Sequence, residues 1–219
     1  MRYFKNTIII AFLSIICSCI TAQTDEEAKA ILDRVASKMK SYQTIEADFE
    51  LLIENKMDDL NSKSIGAIQV KGDKYYMESM GTTVYFDGTT MWSYMADINE
   101  VTITAPDKED GDFVDNPALI FSFYNRDFKY RLIGEVKVEN FWAYEIDLYP
   151  KNMEQPYSRF KLFIRKDNDA IYMVSAISKD AINYTIFITN TRFNQHMDDA
   201  KFTFNPANFD DIEIVDMRF

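Results

Sequence analysis

The side chains with the most chemical potential in this chain are Asp110, Asp112 and Asp115, which crowd into an acidic stretch after Pro106. Carboxylates this close in sequence could hold a divalent cation or share general acid and base roles. A charge run of this kind is more often a solvated loop, and a solvated loop is expected. His196 is the only histidine and lies beside Met197, Asp198 and Asp199 near the C-terminus. The chain has no histidine pair, glycine-rich phosphate loop, Gly-x-Ser-x-Gly elbow or His-Glu-x-x-His helix. The expectation is a protein that binds rather than catalyses, with no metal and no cofactor.

The two cysteines, Cys17 and Cys19, fall in an N-terminal leader. Arg2 and Lys5 open it, an apolar run from Ile8 to Ile16 follows, and small residues end at Thr21-Ala22. This is the pattern of a secretory signal peptide over residues 1–22, cut after Ala22. The run is too short for a membrane span. If the cut falls there, the mature chain has no thiol, and so no disulfide, Cys-ligated metal or Cys nucleophile. A second reading takes Ile16-Cys17-Ser18-Cys19 as a bacterial lipoprotein signal, with Cys19 acylated and the protein lipid-anchored.

Without Arg2 and Lys5 the formal charge moves from −11 to −13. Such a surface repels phosphate backbones, so nucleic acid is excluded as a partner. Residues 23–219 have the length of one domain, and they contain no linker, repeat or low-complexity block. A monomer is expected.

The elements that would position any site are mostly strands. Thr24 and Glu27 form a capping box, and Ala28, Ile31, Leu32, Val35 and Met39 recur at helical spacing, which predicts an amphipathic helix to about Tyr42. From Thr44 the period becomes two: Ile45, Ala47, Phe49, Leu51 and Ile53 alternate with largely acidic neighbours. Strands are predicted at 63–71, 74–80, 83–86, 89–95 and 100–104, with turns at Gly72-Asp73 and Asp87-Gly88. Asp87-Gly88 sits between apolar runs and reads as a tight two-residue hairpin. After the acidic loop, Asn116-Pro117 caps a short apolar helix, Ala118 to Tyr124. Strands resume at 128–135, 140–149, 157–165, 171–178 and 183–193. The order predicts a mainly β (α+β) fold: a strongly curved, unclosed antiparallel barrel of about 10–11 strands, with helices on its concave side.

The hairpin Val84–Tyr94, with its sequence Val-Tyr-Phe-Asp-Gly-Thr-Thr-Met-Trp-Ser-Tyr, resembles the signature of the periplasmic outer-membrane lipoprotein carriers, the LolA-like family. The helix-to-strand passage Ser41–Phe49, the Asn116-Pro117 helix and the tail Asp199–Pro206 are similar to the family's other landmarks, in the same order. The resemblance implies a periplasmic carrier. It would take acylated lipoproteins from an ATP-driven exporter at the inner membrane and pass them to an acceptor or to the outer membrane itself. A lipid-anchored outer-membrane acceptor, or a lipoprotein-sensing module of the same fold, is the alternative. The resemblance also implies a cavity for acyl chains under a lid helix. Phe49, Leu51, Ile53, Ile68, Val70, Tyr76, Met91, Phe160, Leu162 and Ile164 are the candidate walls, with Trp92 at the mouth. Leu119, Ile120, Phe121 and Phe123 of the lid would occupy the cavity until acyl chains displace them. The family's lid-latching arginine aligns with Gly72. Lys71 and Lys74 are the nearest substitutes, and neither offers a planar five-donor fork.

Overall fold

A computed structural model describes residues 25–58, 60–105 and 128–218. The expected leader, the acidic cluster and the lid helix at 116–124 lie outside the described residues. Within them, one helix precedes a sheet of twelve strands. The helix, α1, spans 25–41. The strands are β1 Ile45–Asn55, β2 Leu60–Lys71, β3 Lys74–Ser79, β4 Thr82–Phe86, β5 Met91–Met95 and β6 Glu100–Thr104. They continue as β7 Phe128–Val138, β8 Phe141–Pro150, β9 Tyr157–Arg165, β10 Ile171–Ser178, β11 Ile182–Phe193 and β12 Glu213–Asp216.

Their spatial order is β12-β6-β5-β4-β3-β2-β1-β11-β10-β9-β8-β7, so β12 and β7 are the two edges and the sheet does not close. Neighbours pair antiparallel except β12, which runs parallel to β6. The strand count therefore exceeds the predicted 10–11 by the short β12. Its residues, Glu-Ile-Val-Asp, are too few and too polar to display an alternating pattern. Register shifts at Asp48/Phe49, Leu132/Gly134 and Ile171/Met173 mark bulges, the ordinary device for bending a sheet.

The main core lies between α1 and one part of the sheet. Ala28, Ile31, Leu32, Val35, Ala36 and Met39 of α1 join Ile45, Ala47 and Phe49 of β1, Ile68 of β2, and the inner residues of β8 to β11. The predicted helical stripe is thus the packing face. Ion pairing of Arg34 with Asp169 (3.1 Å) fixes α1 to the β9–β10 turn, and the Tyr42 ring stacks on Phe193 at 3.9 Å. Gly66 in β2 is a close-approach position: a Cβ there would lie 2.4 Å from Cζ of Phe49 and 2.7 Å from the Glu78 carbonyl oxygen. The missing side chain lets the Phe49 ring cover its cross-strand partner.

Candidate functional site

Cross-strand partners point to the same side of a sheet, so the register assigns every side chain to a face. One face carries Phe49, Leu51 and Ile53 of β1, opposite Gly66, Ser64 and Ser62 of β2. It continues through Ile68 and Val70 to Met77 and Tyr75, then to Val84 and Phe86, then to Ser93 and Met91. In the other direction Leu51 leads through Ile186 and Val174 to Leu162. This is the face that α1 covers.

Nine of the eleven expected wall residues share it, in two environments. Phe49, Ile68, Phe160, Leu162 and Ile164 are buried in the α1-covered core, with Leu51 packed at its margin. Ile53 is half-buried near the end of β1. Met91 adjoins a second cluster made of Tyr75, Val84 and Phe86, and Val70 and Met77 pack against both this cluster and the α1-covered core. No residue of α1 belongs to that cluster. The Tyr75 hydroxyl lies 3.4 Å from the Met91 sulfur, and the Tyr75 and Phe86 rings are 5.1 Å apart. Met95 continues the same face, opposite Thr82.

Tyr76 and Trp92 are the exceptions. Both pair with Tyr85, which puts them on the opposite face. The expectation that Tyr76 forms part of the cavity wall and Trp92 its mouth is corrected: β3 and β5 carry large apolar groups on both faces, so alternation could not choose between Tyr75 and Tyr76, or between Met91 and Trp92. Tyr75, Met77, Val84 and Phe86 were not singled out from the sequence for the same reason.

The C-terminal segment makes the outer face of β3 to β5 apolar too. Phe204 packs against Tyr85 (5.5 Å), Tyr94 (6.1 Å) and Phe209 (4.8 Å). Phe202 is fully buried. Burial raises the pKa of Tyr76 above the ordinary phenol value, helped by its hydrogen bond to Glu78. The lysines expected to replace the lid arginine hold this tail. Lys71 and Lys74 donate to the two oxygens of Asp199 at 2.7 and 2.9 Å, and Lys71 also donates to the Met197 carbonyl at 2.9 Å. Hydrogen bonds from Lys71 and Lys74, with their charges, pull the Asp199 pKa down to about 2.

The hairpin at Asp87 is corrected in detail. Phe86 pairs with Met91, so the loop has four residues rather than two. The Asp87 carboxylate accepts from the backbone N–H of Thr89 (2.9 Å) and of Thr90 (2.8 Å), and from the Thr89 hydroxyl (2.9 Å). Burial would raise the Asp87 pKa, but these donors and Lys74 outweigh it and lower the pKa. Among the described residues no group of three or more His, Cys, Asp or Glu is placed to hold a metal ion. None of their helices is long and apolar enough to cross a membrane.

The chain thus forms one unclosed, curved sheet whose apolar inner face extends past the helix lying on it. The sequence profile of the family described as outer membrane lipoprotein carrier protein LolA matches residues 18–154. A protein of unassigned function from Thermus thermophilus has a similar structure, with TM-score 0.54 at 14% identity over 87% of this chain and 99% of that one. A candidate outer membrane lipoprotein-sorting protein domain from Vibrio parahaemolyticus gives 0.49 at 11% identity, over 81% of this chain and 97% of that one. A LolA superfamily protein from Nitrosomonas europaea gives 0.44 at 12%, over 80% and 97%. A search of curated proteins finds no match. The chain belongs to the LolA outer membrane lipoprotein carrier family.

Proposed function

We propose that this protein binds the acyl chains of lipoproteins on the concave face of β3 to β5 and carries them across the periplasm. The observation that carries this reading is the reach of the apolar inner face beyond α1: from Val70 and Met77, which touch the α1-covered core, it continues to the cluster of Tyr75, Val84 and Phe86 with Met91. Family membership supports a lipoprotein as cargo. An ATP-driven exporter at the inner membrane as donor and an outer-membrane acceptor as recipient complete the proposal. No catalytic step and no cofactor is assigned.

Each acyl methylene taken from water contributes about 0.8 kcal/mol, so a rigid empty pocket would hold a long chain too tightly to release it. Met77, Met91 and Met95 on the inner face suit a carrier, because unbranched thioethers re-pack around different guests. Contacts between these side chains in the empty protein would offset part of the gain on binding.

The test is purification of the protein from its native envelope, followed by mass spectrometry of what accompanies it. Acylated lipoproteins are expected. Recovery free of lipoprotein, together with no affinity of the purified chain for a fluorescent acyl probe, would overturn the reading.

A further inference from the structure

The two ends of the sheet differ in a way that acyl binding does not use. At one end the turns are polar: Gly72-Asp73 between β2 and β3, Asp87 to Thr90 between β4 and β5, Glu139-Asn140 between β7 and β8, and Lys166 to Asp169 between β9 and β10. At the other end, four hairpin tips each present one large apolar side chain to solvent. Met57 is 79% exposed between β1 and β2, Met80 57% between β3 and β4, Ile98 60% between β5 and β6, and Met153 78% between β8 and β9. The β10–β11 tip at the same end, Lys179 to Ala181, carries none.

These tips are braced against one another. The Ala96 N–H donates to the Gly81 carbonyl (3.5 Å), the Lys56 N–H to Ala181 (3.1 Å) and the Lys179 N–H to Pro156 (2.9 Å). The Lys179 ammonium also donates to the Met153 carbonyl at 2.6 Å. Met80 sits at φ 54° and Gly81 at φ 77°, the left-handed pair of a two-residue hairpin. Asparagine or glycine suits the first of these positions, and methionine there is strained. The fold thus keeps a sub-optimal turn residue whose side chain projects from the rim.

We infer that this rim is a docking surface for a neutral lipid bilayer, with the four apolar tips entering its interfacial layer. Two features select a bilayer rather than a protein partner. Neighbouring hairpins stand two strands, about 10 Å, apart, so the apolar groups form separate plugs rather than one continuous patch. A fluid headgroup layer closes around separate plugs. The rim turns carry Lys56, Lys151 and Lys179 against Asp58, Asp59, Asp97, Glu154 and Asp180, so the acidic groups outnumber the basic ones there as in the whole chain. Zwitterionic rather than anionic lipid is the matching surface, and the pre-braced tips need little ordering on contact. The inference does not depend on the acyl-binding reading.

The test is flotation of the full mature protein with zwitterionic phosphatidylcholine vesicles, at low and high salt. Wild type is expected to float with the vesicles, insensitive to salt. The combined variant Met57→Ser, Met80→Asn, Ile98→Ser, Met153→Ser is expected to bind about ten-fold more weakly or worse, each apolar plug contributing to partition. Met80→Asn alone should weaken flotation while leaving the melting temperature equal or higher, which a purely structural role for Met80 does not allow. Trp142→Ser, at an exposed apolar residue near the polar end, should leave flotation unchanged, and acyl-probe affinity should be unchanged in every variant. Wild type that fails to float, equal flotation of the combined variant, binding confined to anionic vesicles, or a rim variant that changes only the oligomeric mass would each overturn the inference.

Discussion

The two halves of the sheet solve the covering problem differently. Across β8 to β11 and β1, the inner face is filled by α1, and the outer face is a ladder of charged pairs such as Lys161–Glu145 (2.7 Å) and Arg192–Glu46 (2.7 Å). Across β3 to β5, the outer face is covered by the C-terminal segment through Phe204 and Phe209, and the inner face carries a cluster that α1 does not reach. One half is therefore an ordinary core with one wet side. The other is apolar on both sides, and among the described residues its inner cluster includes no residue of α1. Packing of Phe204 and Phe209 on the outer face holds the strands of that half in place.

The sharpest way to break this contrast is to shorten side chains in each half. Leu162→Ala, in the α1-covered core, should lower unfolding free energy by about 2–5 kcal/mol in urea titration, since the cavity cannot refill from solvent. A loss below about 1 kcal/mol would place that half outside the core. Gly66→Ala comes next, at about 1–3 kcal/mol, because the added methyl meets backbone as well as the Phe49 ring. Replacing Phe49 as well should recover only part of that loss, because the Glu78 carbonyl remains.

Met91→Ala should have a smaller effect on stability, about 1 kcal/mol or less at a half-buried site, and a larger one on acyl-probe affinity. Leu162→Ala should show the reverse pattern, and parallel behaviour of the two would erase the distinction between the halves. The smallest effect is expected at the tail clamp. Asp199 has its pKa lowered to about 2 in the folded protein, against an ordinary value of 3.8, so its pairing with Lys71 and Lys74 favours the folded state above about pH 4. That contribution fades as pH falls from about 4 towards about 2. The difference in melting temperature between wild type and Asp199→Asn should shrink over that window, and an unchanging difference would mean that the clamp does not act through charge.

The half with one wet side was the legible one. Phe160, Leu162 and Ile164 alternate with Arg159, Lys161 and Arg165, and the register puts the apolar set inward. The α1 stripe and the strand from Ile45 were equally clear. In β3 and β5 a distant segment, Phe202 to Phe209, makes the outer face apolar, so local alternation loses its meaning and Tyr76 and Trp92 were assigned to the wrong side. The same long-range contact explains Lys71 and Lys74: nothing near them in sequence announces Asp199. The Asp87 loop was recognised as a turn, but its length is fixed by the carboxylate that gathers the Thr89 and Thr90 donors. β12 gains its place by pairing with β6, in register from Glu213 opposite Glu100.

Acyl binding on the concave face is decided by photo-crosslinking a radiolabelled acylated lipopeptide from adjacent positions of one strand. A photoreactive amino acid at Met91 points to the inner face and one at Trp92 to the outer. A strong adduct is predicted from the Met91 position and at most a trace from that of Trp92. Equal labelling, or labelling from the Trp92 position alone, would contradict the assignment of the concave face of β3 to β5 as the acyl-binding surface.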